Sequence, residues 1–363
     1  MAGRKKKSAG RMPLWLYVLI VVAITLVTYF RTSGEAEGGD PQPPAASAAA
    51  QQTPADETLT VRFLDVGQGD SILLACGDET MLIDGGPVEE GQFLVSRLHR
   101  LDVAELTYVI NTHPDEDHCG GLAAVLAKYP AEHVYSSVTE YTTKVFSNVV
   151  KYADEQGHPV EVPQTGDSWT LGSASVQIIG PVQTYSDPNN GSLVLRVDYG
   201  GTSFLFTGDM EQNAEADLMD SGANVRADVL KVGHHGSPTS SSEAFLEAVA
   251  PSIAVISVGE DNDYGHPSAD VLARVEALGT TIYRTDTQGE IIITSDGQTL
   301  TVTTDPTSRE PAAGKDAPFI GNRNSMIVHS ASCAKLPGEE NRIYFNSAEE
   351  AEEYGYKKHT CIK

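Results

Sequence analysis

Cysteine and positive charge are both scarce in this chain of 363 residues. Its four cysteines are too few for a fold that disulfide bonds hold together. Lysine and arginine number 25 against 50 acidic residues, which gives a formal net charge of −25. Because so acidic a surface repels polyanions at long range, the composition disfavours a protein that binds nucleic acid non-specifically. A phosphate-bearing substrate would have to be held locally, by metal.

Long hydrophobic runs are scarce as well, and the clear one covers residues 14–30. It carries no charge and matches the shortest membrane-spanning helices, of about 17 residues. The five basic residues before it place residues 1–13 in the cytoplasm and the rest outside. We therefore expect a single-pass anchor in a bacterial cell membrane with an extracytoplasmic domain. A cleaved signal peptide is the alternative, although no small-x-small site follows Phe30.

Composition divides the rest of the chain into four parts. Residues 31–57 are rich in Ala, Pro, Gly and acids and lack apolar periodicity, which predicts a disordered tether. Between residues 58 and 305, short strands alternate with hairpins and helical patterns, including one around 139–156. This mixture predicts two sheets covered by helices. A linker at 306–317 and a small α+β module at 318–363 follow.

The densest group of ionisable side chains, THPDEDH at residues 112–118, follows a buried strand. Imidazole and carboxylate ligands together suit Zn²⁺ or Mn²⁺. Two other predicted strands end in potential ligands, one at Asp209 and one at His234 and His235. Because strand ends that converge at one edge build the sites of open α/β sheets, we predict a metal centre there. The alternative is an acidic turn that caps a helix starting at Gly120.

The order of the motifs resembles the metallo-β-lactamase-fold domain of the ComEC family of competence proteins. The matching segments, within residues 58–305, are FLDVGQGDS, LIDGG, THPDEDHCGGL, NNGSLVL, FTGDMEQNAE, LKVGHHGS, SVGEDNDYGHPS and YRTDTQG. The resemblance implies an αββα sandwich that holds two divalent metal ions, Zn²⁺ or Mn²⁺, at one edge between the sheets. The ligands that it implies are His113, Asp115, Asp117, His118, a bridging Asp209 and one of His234 and His235.

Two positions depart from the wider superfamily. Asp115 stands where a second His is commoner, and the turn Asn189–Ser192 stands where a further His ligand usually falls. Both departures weaken the first metal position, which favours partial occupancy or a harder ion such as Mn²⁺. We expect Asn189, Asn190 and Ser192 to bind the substrate.

Catalytic roles are predicted for three residues. Asp209 would bridge the metal ions that activate water for attack on a phosphodiester. Lys231 would reach a non-bridging phosphate oxygen, and a solvent-facing lysine is the alternative. His266, in a GHP element that resembles the family's, would stabilise the leaving group or orient a ligand, and a turn or helix-capping role is the alternative.

The C-terminal module contains His329, Cys333, His359 and Cys361. It resembles small zinc-binding modules that are related to the Ada metal-binding domain and attached to secreted nucleases. Those modules usually close with Cys-x2-Cys, whereas this chain has His-Thr-Cys. A further structural Zn²⁺ on two His and two Cys is one interpretation, and a Cys333–Cys361 disulfide bond is the other.

Together these patterns predict an extracytoplasmic metal-dependent hydrolase, a phosphodiesterase or nuclease of the ComEC type, with DNA as a candidate partner. The acidic charge balance opposes DNA, whereas the motifs and the C-terminal module favour it. The alternative enzyme hydrolyses another phosphodiester at the cell surface, in a wall polymer or a phosphocholine-type ester. The alternative of another class is a surface binding protein with a metal-containing but inactive site. The sequence indicates no oligomeric state.

Overall fold

The computed structural model describes residues 57–309, 315–322 and 324–362. They belong to one of the two compact units into which the chain divides, Ala50–Lys363. The predicted anchor at 14–30 and all but the last residue of the predicted tether at 31–57 lie outside the described residues. No helix within the described part is both long and apolar enough to span a bilayer.

The first sheet has seven strands in the order β14-β13-β1-β2-β3-β4-β5. The strands are β1 (Leu59–Phe63), β2 (Ile72–Cys76), β3 (Glu79–Ile83), β4 (Leu106–Asn111), β5 (Ala131–Ser136), β13 (Glu290–Ser295) and β14 (Leu300–Asp305). Strand β4 runs parallel to β3 and β5. The loops that follow β3 and β4 therefore begin at the same edge of the sheet.

The second sheet also has seven strands, in the order β12-β11-β10-β9-β8-β7-β6. The strands are β6 (Ser168–Leu171), β7 (Ala174–Gly180), β8 (Val194–Tyr199), β9 (Thr202–Phe206), β10 (Val229–Lys231), β11 (Ile253–Ile256) and β12 (Thr281–Arg284). Strands β8 and β9 form a hairpin. Strands β9 to β12 run parallel, so the loops after β9, β10 and β11 also share one edge.

Hydrophobic side chains fill three layers around these sheets. Between the sheets, one cluster combines residues of the first sheet, such as Phe63 and Leu74, with residues of the second, such as Phe204 and Val229. A second cluster lies under the helices on the outer face of the first sheet, and a third lies under the helices on the second. This αββα arrangement confirms the predicted fold class of two sheets covered by helices.

The helices pack on the two outer faces. Those with the first sheet are Gly91–Arg100, Glu116–Cys119, Leu122–Leu126 and Lys144–Gln156, and those with the second are Gln212–Asp220, Glu243–Val249 and Ala269–Ala277. The short helix Thr285–Gln288 joins β12 to β13 and contacts both strands. Short 3₁₀ turns occur at Val88–Glu90, Gly233–Gly236 and Glu339–Asn341. The helical pattern predicted around 139–156 begins later than expected because Thr143 caps it, accepting a hydrogen bond from the Phe146 amide.

The C-terminal module is a small sheet with one helix. Its strands, in the order β17-β15-β16-β18, are β15 (Phe319–Asn322), β16 (Ile327–Ser330), β17 (Arg342–Phe345) and β18 (Lys357–Lys358), and its helix is Ala348–Glu353. The module contacts the sandwich through Arg100, which donates to the Tyr354 hydroxyl at 2.6 Å and stacks over its ring at 4.2 Å. The two parts are therefore packed against each other.

Candidate metal centre

The loops at the carboxyl ends of the strands bring the predicted ligands together. Four of them, Asp117, His118, Asp209 and His235, each offer one ligand atom, and these atoms all lie within 4.8 Å of one another. His118 Nε2 lies 3.2 Å from Asp209 Oδ1 and 3.3 Å from His235 Nε2. This group of two imidazoles and two carboxylates, here called the four-donor group, has the ligand types that zinc and manganese take.

The protein holds the imidazoles by their Nδ1 atoms. His118 Nδ1 lies 2.8 Å from Asp84 Oδ2, and His235 Nδ1 donates to the Ser257 carbonyl oxygen at 2.9 Å. A ring that donates its Nδ1 proton keeps the Nε2 lone pair free for a metal ion. Both Nε2 atoms belong to the four-donor group, so the tautomers suit metal binding.

His113 is held in the same manner. Its Nδ1 lies 3.1 Å from the Thr112 hydroxyl, and that hydroxyl donates its own proton to Asp84. The Thr112 hydroxyl therefore accepts from His113, which leaves Nε2 unprotonated. Asp84 thus supports two imidazoles through one carboxylate.

Two buried atoms at the centre have no hydrogen-bond partner among the described residues, His113 Nε2 and Asp209 Oδ1. Leaving a buried polar atom unsatisfied costs about 1–3 kcal/mol. A cation bound to either atom would remove its share of this cost, because both atoms carry lone pairs. The residues present therefore fit a divalent metal ion.

Burial and charge set the protonation of these groups. Burial lowers the pKa of His113 to about 4, so its imidazole is neutral at neutral pH. Burial opposes ionisation of Asp209, but the neighbouring His118 and His235 hold its pKa well below the usual range. The carboxylates in turn outweigh burial and raise the pKa of His118 and His235 well above the ordinary value, so a metal ion that binds there would displace their Nε2 protons. The Asp209 carboxylate is therefore ionised at neutral pH, as a ligand of a cation must be.

The first metal position is less complete. His113 Nε2 lies 3.7 Å from Asp115 Oδ2, and the Asp115 side chain is 40% exposed. Neither residue belongs to the four-donor group. The structure therefore brings these two predicted ligands beside the group, where they would hold an ion with fewer ligands.

The His-His pair has one inner and one outer member. His235 is buried within the four-donor group. His234 is 23% exposed, with Nε2 3.7 Å from Asp209 Oδ2 and Nδ1 3.4 Å from Glu211 Oε1. Its ring meets that of His266 edge-on at 5.8 Å, so His266 lies at the rim of the centre through this contact.

The turn that was predicted to bind substrate mostly supports the centre instead. Ser192 is fully buried, and its hydroxyl accepts from the Asp209 amide at 3.1 Å and lies 3.3 Å from His113 Nδ1. Asn190 is buried, and its side chain donates a hydrogen bond to Glu211 and accepts one from the Ala214 backbone amide. Asn189 is half-buried, and its backbone amide donates to the Asp187 carboxylate. The predicted substrate contact of Asn190 and Ser192 is therefore corrected to a positioning role.

Lys231 also lies elsewhere than predicted. It is fully buried, and its ammonium lies 2.8 Å from Asp70 Oδ2 and donates to the Val232 carbonyl oxygen. The other Asp70 oxygen lies 3.4 Å from His235 Nδ1. Since the ammonium has no exposed surface, the predicted contact with a phosphate oxygen is corrected to an internal ion pair behind His235, and the solvent-facing alternative is excluded too.

Glycines let the loops approach one another. Gly69 has a φ of +142°, and a Cβ there would lie 2.3 Å from the Asp117 carbonyl oxygen. Gly208 has a φ of +50°, and a Cβ there would lie 2.9 Å from the Ser192 hydroxyl. Side chains at either position would push a ligand loop outward.

Sequence reasoning missed several supporting groups. Thr112 directly precedes His113, and a hydroxyl beside a predicted ligand could have indicated a group that supports that ligand. Asn111 donates to Asp84 and to the His113 carbonyl oxygen, and it ends a strand as ligands do. Ser257 acts through its backbone carbonyl, for which no side-chain signal exists.

A second group of donors forms in the C-terminal module. The ligand atoms of His329, Cys333, His359 and Cys361 all lie within 4.8 Å of one another. Cys333 Sγ lies 3.4 Å from His329 Nδ1 and 3.8 Å from His359 Nδ1. Both cysteines are free thiols in the structure. Two His and two Cys form a complete set for tetrahedral zinc.

Comparisons with known proteins agree with this picture. Residues 64–260 match the metallo-beta-lactamase superfamily. The chain is 32% identical over 250 residues to ComE operon protein 3 of Bacillus subtilis, which covers 64% of this chain and 32% of that protein. It is 35% identical over 239 residues to competence protein ComA of Neisseria gonorrhoeae, and the match covers 65% of this chain and 32% of that protein. Recombination protein 2 of Haemophilus influenzae is 32% identical over 242 residues, and the match covers 64% of this chain and 28% of that protein. The chain spans about a third of the length of these relatives.

Proposed function

The chain belongs to the metallo-beta-lactamase superfamily, and on that premise we propose that it is a phosphodiesterase, with a nucleic acid of the kind handled in competence as the first candidate substrate. The observation that carries the proposal is the four-donor group beside His113 and Asp115. Family membership supports a metal-dependent hydrolase, and the choice of a phosphodiester goes beyond it.

Divalent metal ions supply Lewis acidity, which activates water and polarises a phosphoryl oxygen. The chain's own residues would do the rest. Asp209 contacts both imidazoles of the four-donor group and lies beside His234, so its carboxylate is suited to bridge two ions. Asp84, Thr112 and Ser192 hold the ligands in place. Such fixed geometry lowers the cost of aligning substrate and water.

The curated relatives support the phosphodiester class. Two of them are named for competence and recombination, processes that act on DNA. The acidic charge of this chain opposes long-range attraction of a polyanion, so we propose that the substrate is bound locally at the metal centre.

Two other functions stay open to test. One is hydrolysis of a cell-surface phosphodiester, in a wall polymer or a phosphocholine-type ester, and the other is binding without catalysis. Turnover of bis(p-nitrophenyl) phosphate by the metal-loaded full chain supports an enzyme. No turnover by a chain that has bound its metal supports the binding protein.

We also propose a structural zinc ion in the C-terminal module and an extracytoplasmic location. The first is supported by the four donors of that module. The second is supported by the uncharged run at 14–30 and the basic residues before it.

A further inference from the structure

A cavity opens next to the metal centre. Its volume is about 520 Å³, within the range of ligand pockets, about 300–1,000 Å³. Pro114 lines it between the metal-loop residues His113 and Asp115, and Gly191 lines it next to Ser192. The wall of the cavity thus includes neighbours in the chain of residues at the centre, and a group attached to a phosphate at the centre can extend toward it.

The cavity carries no positive charge. Among its lining residues, all of which lie in the described part of the chain, there is no lysine or arginine, and Asp187 is the one carboxylate. A second phosphate in this space would find no cationic side chain to pair with its charge. The cavity is therefore better suited to an uncharged group than to an anion.

An aromatic ring forms part of the wall. Tyr141 lines the cavity, and Phe146 supports its ring edge-on at 6.4 Å. The prolines and valines of the wall, such as Pro163 and Val138, are apolar.

Its polar groups favour an uncharged ligand over a cation. Asp187 is exposed, and one of its oxygens accepts from the Asn189 amide at 2.9 Å. The Tyr185 hydroxyl is engaged too, since it donates to Asp217 at 2.8 Å. The one carboxylate is thus solvated, and an exposed carboxylate attracts a cation weakly.

We propose that this cavity binds an uncharged aromatic ring next to the scissile phosphate, as a nucleobase provides, and that Tyr141 stacks on it. The inference rests on the proposed phosphodiesterase function and names the group that the enzyme selects. Stacking of a base on an aromatic side chain strengthens binding, so the preference should be on the order of tenfold or more.

The test compares p-nitrophenyl diesters with the Mn²⁺-loaded full chain. We expect kcat/KM for thymidine 5′-(p-nitrophenyl phosphate) to exceed that for methyl p-nitrophenyl phosphate by roughly tenfold, after correction for their uncatalysed rates. A 3′-phosphate added to the thymidine ester should lower its kcat/KM. Equal rates for the thymidine and methyl esters, faster turnover of the 3′-phosphorylated ester, or a preference for p-nitrophenyl phosphorylcholine would overturn the proposal.

Cavity variants locate the effect. Tyr141→Ala should remove most of the thymidine preference, whereas Tyr141→Phe should keep it. Val162 lines the cavity and is 40% exposed, and Leu278, outside the cavity lining, is also 40% exposed. Val162→Lys should improve turnover of the 3′-phosphorylated ester, and Leu278→Lys should not. Identical behaviour of the two lysine variants would contradict the inference.

A binding measurement separates this inference from the proposed function. If metal-loaded protein hydrolyses none of the diesters, the phosphodiesterase proposal fails. Calorimetric titration with thymidine still tests the cavity. Binding by the wild type that Tyr141→Ala abolishes supports the cavity, and no binding by the wild type refutes it.

Discussion

Lys231 and Asp70 form an ion pair from which solvent is excluded. The ammonium lies 2.8 Å from Oδ2, and the side chains are 0% and 2% exposed. Burial would raise the pKa of Asp70, but Lys231 and His235 hold it well below the usual range. The pair comes from two separate motifs, at the end of β10 and in the glycine-rich loop before β2, and it lies directly behind a proposed metal ligand.

Lys231→Met should destabilise the fold by about 3–5 kcal/mol, because it leaves the Asp70 carboxylate buried without its partner. The double variant Asp70→Asn/Lys231→Met removes both charges and should recover part of that loss. Urea unfolding of the metal-free full chain measures the free energy of unfolding for each. Equal stability of wild type and Lys231→Met would show that the pair is not needed for folding.

The fold class could be predicted because hydrophobic periodicity and turn residues mark strands such as β4 and β9 directly. The first ligand loop could be predicted for the same reason, since its ionisable residues follow an apolar strand. The inner member of the His-His pair could not, because His234 and His235 both adopt positive φ values, 49° and 52°. Strand alternation does not apply to such a turn.

The position of Lys231 could not be read from the sequence either. A lysine at a strand end is usually exposed, and its partner Asp70 lies 161 positions away in the chain. Only the packing of the two sheets against each other brings the two together. Ser192 was misassigned for a similar reason, because its hydroxyl contacts residues from two other loops.

Ser192→Ala should weaken metal binding at the centre by roughly ten- to a hundredfold, because removal of a side chain that orients a metal ligand typically has an effect of this size. The hydroxyl accepts from the Asp209 amide and lies beside His113. Ser96→Ala is the matched control, since Ser96 is also buried but its hydroxyl bonds Gln92 within a helix. Mn²⁺ titration by calorimetry compares them. Equal affinities would remove Ser192 from the support of the centre.

The C-terminal module should bind one Zn²⁺ that Cys333→Ser or Cys361→Ser abolishes. Elemental analysis of the full chain gives the stoichiometry, and Cys76→Ser is the control because Cys76 is buried in the sandwich core. Intact-mass measurement reveals a disulfide bond. A Cys333–Cys361 disulfide without zinc would sink the zinc interpretation.

Protease added to intact, wall-stripped cells should release the folded domain from the membrane, because the basic residues before position 14 favour the cytoplasm. Immunoblotting of the supernatant shows the released fragment. Complete protection of the domain would reverse the orientation, and a soluble chain before protease would favour the cleaved signal peptide.

The metal stoichiometry and phosphodiesterase rate of Asp209→Asn test the central claim most directly. A neutral amide cannot offset the charge of two ions, so we expect loss of at least one metal and a fall in bis(p-nitrophenyl) phosphate turnover on the order of a thousandfold or more. Circular dichroism should show an intact fold, and Asp296→Asn, in an exposed turn, should keep both metal and rate. Full activity and full metal content in Asp209→Asn would contradict the proposed metal-dependent mechanism.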